Sequence, residues 1–180
     1  MKRIIGFTGH KLNGKTTASN YLMQRIINES EIPVKVERIN MKDSIIEEMK
    51  ENFPVTLEGY SETYDRTVPE LFSTKPDLMR KLMQDYGLMR RREDPEYWVN
   101  RWCERVKRSS ADFIIVDDIR FINEFDIVQR VGGKVYKIIR EGVVNDDYHA
   151  TEREIELIDC TTISAKTKDE LFARLDSIMI

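Results

Sequence analysis

Gly9-His10-Lys11-Leu12-Asn13-Gly14-Lys15-Thr16 fits the pattern GxxxxGK[ST] in full, directly after the apolar run Ile4-Ile5-Gly6-Phe7 and directly before a long stretch of helical character. A chain with this beginning must fold as strand, tight turn and helix, because only that order curls successive backbone N–H groups around an anion. The glycines permit the curl, Lys15 supplies a cation for a polyphosphate, and the Thr16 hydroxyl suits Mg²⁺. A helix opening near Thr16 adds its positive dipole end. Gly9, Asn13, Gly14, Lys15, Thr16 and Thr17 are therefore the candidate contacts of a bound nucleotide's phosphates. A bare glycine-punctuated turn is the alternative, but it would not require the strand before the motif and the helix after it.

Strand-like runs alternate with helix-like runs along the rest of the chain, which predicts a parallel sheet with helices on both faces. The expected strands are 3–8, 34–40, 112–117, 134–139 and 161–164. Helical patterns cover 16–28, 42–51, 77–89, 95–108, 122–131, 151–157 and 168–178. In the first of these, Ala18, Tyr21, Leu22, Ile26 and Ile27 recur at helical spacing. Gly132-Gly133 ends the helix after the third strand. Two stretches interrupt the alternation. One is the polar, proline-marked segment 53–75, which begins an insert reaching to about residue 110; such an insert beside a phosphate loop usually carries a second substrate. The other is 140–150, a polar run that reads as a short lid. With 180 residues and no repeat or linker, the expectation is one domain.

The formal net charge of −3 gives no general attraction to nucleic acid or anionic membrane, so an anionic ligand must meet a local cluster of basic groups. No apolar run approaches the roughly 20 residues that span a bilayer, and Met1-Lys2-Arg3 leads into a strand rather than a secretory signal. Cys103 and Cys160 match no metal spacing and suit a reducing cytoplasm.

Three further constellations carry chemistry. The apolar strand ending in Asp117-Asp118-Ile119-Arg120 presents two carboxylates and a guanidinium at a strand's carboxyl end, where α/β sheets bind ligands. Asp117 or Asp118 can hold Mg²⁺ or orient an attacking oxygen, and Arg120 can hold a phosphate. Strand alternation assigns this task to one of the two acids. Arg80 and Gln84, one helical turn apart, can reach one anion and one base edge together. Trp98 and Trp102 share the same spacing, which is more often core than base platform. Arg140 stands at a strand end, followed by His149-Ala150-Thr151-Glu152, where Thr151 can cap a helix with Glu154 three positions on. His10, inside the loop, is taken as non-catalytic.

These motifs, in order, resemble the bacteriophage-type deoxynucleoside monophosphate kinases, a branch of the P-loop nucleoside monophosphate kinases. The shared pieces are Gly9–Thr16, Arg80-x-x-x-Gln84-x-x-Gly87, Trp98, Asp118-Ile119-Arg120-Phe121-Ile122-Asn123-Glu124, Gly132-Gly133, Arg140 and His149-Ala150-Thr151-Glu152. Departures are Leu88-Met89, where the family tends to show Thr-Glu, and Thr162-Ile163-Ser164-Ala165, which lacks the usual Asn. The resemblance implies a three-layer P-loop NTPase fold on a five-stranded parallel sheet, with a helical substrate-binding insert and a short lid. It also implies ATP- and Mg²⁺-dependent transfer to a deoxynucleoside monophosphate. In that scheme Lys15 serves the transferring phosphates, and Thr16 with Asp117 or Asp118 serves the metal. Arg120 and Arg140 offset charge, while Arg80, Gln84, Trp98, Arg120, His149 and Glu152 hold the acceptor. A modified hydroxymethyl pyrimidine nucleotide or phosphomevalonate is the rival acceptor, and a nucleotide-dependent switch is the rival class. The expected partner is a small nucleotide, with no nucleic acid and no membrane; the assembly is left open, a homodimer included.

Overall fold

In the computed structural model, residues 2–143 and 150–178 are described. They contain five strands and the helices between them in strict chain order. β1 (Arg3–Thr8), β2 (Val36–Arg38), β3 (Phe113–Ile119), β4 (Lys134–Arg140) and β5 (Thr161–Ala165) form one parallel sheet of order β2-β3-β1-β4-β5. The first strand is thus central, and the turn that follows it leaves from the middle of the sheet's carboxyl edge. The expected five-stranded parallel α/β architecture is present.

Packing divides the described residues into two compact units, 1–40 with 104–180 and 41–103. The first holds the sheet. On one face Ile5, Phe7, Ile115, Ile138 and Ile163 pack with Ala18, Leu22 and Ile26 of α1 (Lys15–Glu29) and with Leu171 and Leu175 of α9 (Lys168–Asp176). On the other face Gly6 lets α7 (Ile122–Arg130) close on the sheet: a Cβ there would meet Ile119 at 2.4 Å and Val135 at 3.2 Å, with Val128 behind them. Odd and even positions of β1 therefore serve opposite layers, as a strand covered on both sides requires.

The second unit is helical: α2 (Met41–Asn52), α3 (Pro54–Tyr64), α4 (Val68–Thr74), α5 (Asp77–Glu93) and the start of α6 (Tyr97–Arg108). Its core joins Met49, Leu57, Leu71, Phe72, Met79, Met83, Tyr86 and Trp98. α3 and α4 occupy the polar, proline-marked segment 53–75, where the sequence pattern predicts no helix, and the prolines explain the difference. Pro54 is the first residue of α3 and Pro69 lies in the first turn of α4, positions whose N–H groups have no helical partner in any case. Thr67 and Glu70 close a capping box on α4, with the Thr67 N–H donating to Glu70 Oε2 at 2.8 Å.

The second strand is shorter than 34–40. Beyond Arg38 its pairing continues through Ile39 N–H to the Ile115 carbonyl at 3.0 Å, and then through the Asn40 side chain rather than its backbone. α8 (Ala150–Leu157) begins before Thr151, and Glu154 serves a different helix from the one expected: it accepts from the Ile122 N–H at the start of α7, at 3.2 Å.

Candidate active site

The turn after β1 takes positive φ at Gly9 (132°), Leu12 (66°) and Gly14 (92°). Gly9 is required twice over, since a Cβ would also lie 2.4 Å from the Ile138 carbonyl oxygen. Leu12 holds a left-handed conformation that costs a non-glycine residue about 1 kcal/mol. Gly14 is the N-cap of α1 and no side chain caps that end, so the first N–H groups of the helix are left for an anion. Thr16 is exposed and Thr17 half-buried in that first turn. Lys15 Nζ curls back to donate to the Gly9 carbonyl at 2.6 Å and the His10 carbonyl at 2.8 Å, which keeps the ammonium within the loop. Asn13 is buried and spends its side chain on the scaffold: Nδ2 donates to the Ile138 carbonyl at 3.2 Å, fastening the loop to β4. His10 Nε2 lies 3.9 Å from Glu156 Oε1 of α8.

At the end of β3 the register against β1 slips between Gly6–Val116 and Thr8–Ile119, so Asp117 and Asp118 together oppose Phe7. Simple alternation, the basis for choosing between the two acids, does not hold across such a bulge. Their environments differ instead. Asp117 is 4% exposed; Oδ1 accepts from Asn40 Nδ2 at 2.7 Å, its N–H donates to Asn40 Oδ1 at 2.8 Å, and Oδ2 lies 3.4 Å from Arg38 Nε. Arg38 is itself held by Ser19 Oγ at 3.1 Å. Asp118 is half-buried, as is Arg120. Glu124 is buried and accepts from the N–H groups of Arg120 at 2.8 Å and Phe121 at 3.2 Å, fixing the bend that carries Arg120 into α7.

Beside the loop a small cleft, partly open to solvent, is lined by Leu12, Asn13, Gly14 and Thr17 and by the ends of β4 and β5. Arg140 and the segment Ala165–Lys168 line its far side. Sequence reasoning missed Lys166, Thr167 and Lys168, which carry no motif and enter only because β5 pairs with β4, Arg140 opposite Ala165.

In the helical unit Arg80 is half-buried and Gln84 exposed on the same side of α5, and neither side chain has a hydrogen-bond or ion-pair partner among the described residues. Trp98, expected at the acceptor, is fully buried, with Nε1 donating to the Gly87 carbonyl at 2.9 Å. Its ring has no surface left for a substrate, and what it does is lock α6 to α5. A feature without a sequence signature lies nearby: Glu48, 5% exposed, accepts from Tyr97 Oη and Arg101 Nη2 at 2.6 Å each and from Tyr86 Oη at 2.9 Å, with Arg90 Nη2 at 3.5 Å. Burial alone would raise its pKa, but the two tyrosine hydroxyls and the Arg101 guanidinium outweigh burial and hold the carboxyl below its ordinary value. His149 lies outside the described residues, as do the side chain of Glu152 and most of the expected lid, 144–149.

A parallel sheet with a glycine loop and an uncapped helix after its central strand defines the three-layer α/β class of P-loop type. Within that class the chain belongs to the deoxynucleotide monophosphate kinase family, whose sequence profile it matches over residues 27–172. That match begins after the glycine loop, so the loop stands on its own motif and geometry. A protein of Acanthamoeba polyphaga mimivirus, provisionally named a deoxynucleotide monophosphate kinase, is 29% identical over 195 aligned positions covering 97% of this chain and 94% of the relative. Among solved structures, TT1252 from Thermus thermophilus superposes with a TM-score of 0.50 over 96% of this chain and 93% of its own, at 15% identity, a likeness of fold alone. No helix among the described residues is long and apolar enough to cross a membrane.

Proposed function

We propose that the protein transfers the γ-phosphoryl group of ATP to the phosphate of a deoxynucleoside monophosphate in a Mg²⁺-dependent reaction, giving the two diphosphates. The observation that carries this reading is the pairing of Lys15, its ammonium tethered inside the loop, with the uncapped N-terminus of α1. Together they offer a fixed cation and a row of N–H donors to one polyphosphate, which suits a reaction governed by positioning and charge neutralisation. Lys15 would take the β- and γ-phosphates, and the donor's base would enter the cleft lined by Leu12, Thr17 and Ala165–Lys168.

Among the described residues no three His, Cys, Asp or Glu side chains gather as a metal site. Mg²⁺ needs none, because it keeps several waters and takes phosphate oxygens with one or two protein oxygens. The exposed Thr16 hydroxyl and the half-buried Asp118 carboxylate fit that donor set. Asp117, tied to Asn40 and Arg38, positions the strand end from behind. When bound, the metal supplies charge neutralisation at the phosphates. Arg120 and Arg140 would offset the remaining charge, and Arg80 with Gln84 would hold the acceptor's phosphate and base.

The direct test is triphosphate turnover with each deoxy- and ribonucleoside monophosphate supplied in turn. Turnover should depend on an added monophosphate and favour the deoxy forms. Triphosphate hydrolysis that proceeds equally without any monophosphate would instead identify a nucleotide-dependent switch.

A further inference from the structure

Past Ile39 the pairing of β2 with β3 passes from backbone to side chain. The Asn40 amide supplies both bonds: Nδ2 donates to Asp117 Oδ1 at 2.7 Å, and Oδ1 accepts from the Asp117 N–H at 2.8 Å. Asn40 is 2% exposed, so one buried side chain grips the backbone and the carboxylate of a single residue. That residue stands at the bulge. Val116 pairs with Gly6 and Ile119 with Thr8, two steps along β1 against three along β3, and the Ile119 side chain lies over Gly6 on the α7 face. Asp117 faces the α1 side instead, where Arg38 Nε lies 3.4 Å from its Oδ2 and donates to Ser19 Oγ of α1 at 3.1 Å. Asp118 is therefore the residue that the bulge inserts, and bulges re-aim the side chains they carry.

Ser19 follows Thr16 by three residues, nearly one turn of α1. The network thus reaches both oxygens read above as metal donors, Thr16 through that turn and Asp118 through the adjoining peptide. Mg²⁺ tolerates little error in such donors, because it demands near-ideal octahedral geometry at about 2.1 Å. Groups that orient a metal's ligands are accordingly worth about ten- to a hundredfold in affinity.

We propose that Asn40 is a positioning residue for the metal: it holds Asp117 so that the bulge aims Asp118 at the phosphates, while Arg38 keeps that strand end aligned with the turn that carries Thr16. The proposal rests on the reading of Asp118 as a metal donor, and the experiment keeps the two apart. The readout is the dissociation constant of Mn²⁺, measured by electron paramagnetic resonance with the protein in excess over a non-hydrolysable ATP analogue and no acceptor present. Asn40→Ala should raise it about tenfold and leave metal-free binding of the analogue near wild type. A lower melting temperature with unchanged Mn²⁺ binding would make Asn40 merely structural and overturn the proposal. Asp117→Asn, which keeps both bonds to Asn40, should raise the constant far less; an equal rise would make Asp117 a metal donor itself and overturn the proposal. In an Asp118→Ala background Asn40→Ala should have no further effect, and additive losses overturn the proposal. If Asp118→Ala leaves Mn²⁺ binding unchanged, the reading of Asp118 fails and the proposal with it; if Asp118→Ala weakens binding and Asn40→Ala does not, the proposal alone fails. Should Asn40→Ala not fold, Arg38→Lys, at a side chain 29% exposed, keeps the charge but loses the Nε that lies between Asp117 and Ser19. It should also weaken Mn²⁺ binding, and no change there overturns the proposal.

Discussion

Lys15 and Gly9 depend on each other, since the lysine ammonium donates to the Gly9 carbonyl while Gly9 presses against the Ile138 carbonyl of β4. Replacing Lys15 with Met should therefore cost little fold stability, about 1 kcal/mol for two part-buried hydrogen bonds, but should lower turnover by about a thousandfold by removing the cation at the transferring phosphate. Steady-state kinetics alongside thermal unfolding separates the two effects; near-normal turnover in a folded Lys15→Met protein would remove the loop from the chemistry. Gly9→Ala should act in the opposite way, destabilising by about 3 kcal/mol because a positive φ and a backbone clash coincide, with thermal unfolding as the measurement. The glycine spacing was legible because it is local. The use of Asn13 was not, because its partner, Ile138, is 125 residues away. The choice between Asp117 and Asp118 was equally hidden, since a bulge suspends the alternation from which it would be read.

Among the elements, α3 and α4 were illegible for a physical reason: Pro54 and Pro69 look like breakers in a polar stretch but stand at helix starts, where proline is favoured. The central strands β1 and β3 were legible because strands covered on both faces are apolar nearly throughout, β4 and β5 because β-branched and aromatic residues recur in them between turn signals, and the edge strand β2 was overdrawn. The network that ties α2 to α5 and α6 had no signature, since Glu48, Tyr86, Arg90, Tyr97 and Arg101 converge only in space. Its pH dependence has a definite sign. The Glu48 pKa is lowered on folding from an ordinary 4.5, so the unfolded chain takes up the proton first as pH falls. The stabilisation is fully present above the ordinary value and is lost as pH drops through it toward the folded value. Glu48→Gln should destabilise this unit by about 3 kcal/mol at neutral pH, by stranding the arginines against an amide, and should flatten the acid limb below the ordinary value. Trp98 and Trp102 are the chain's two tryptophans and both lie in this unit, so their fluorescence during unfolding reports on it directly. A parallel acid limb in wild type and Glu48→Gln would mean that another group governs it.

In the whole molecule the two units carry different candidate residues, the loop and cleft in the sheet unit and Arg80 with Gln84 in the helical unit. If each unit serves one substrate, variants should divide cleanly between the two Michaelis constants. Among the described residues the half-buried Arg80 side chain has no hydrogen-bond or ion-pair partner. Arg80→Ala should raise the KM for the monophosphate by about tenfold or more, through loss of charge-assisted hydrogen bonds to its phosphate, and leave the KM for the triphosphate near wild type. Lysine should rescue only in part, because it restores the charge without the planar fork that grips two phosphate oxygens. Leu12→Glu should show the converse pattern, weakening the triphosphate alone. Titrating each substrate against both variants gives four constants, and the division of labour requires the two changes to fall on opposite substrates. If Arg80→Ala weakens both substrates equally, or neither, α5 does not hold the acceptor.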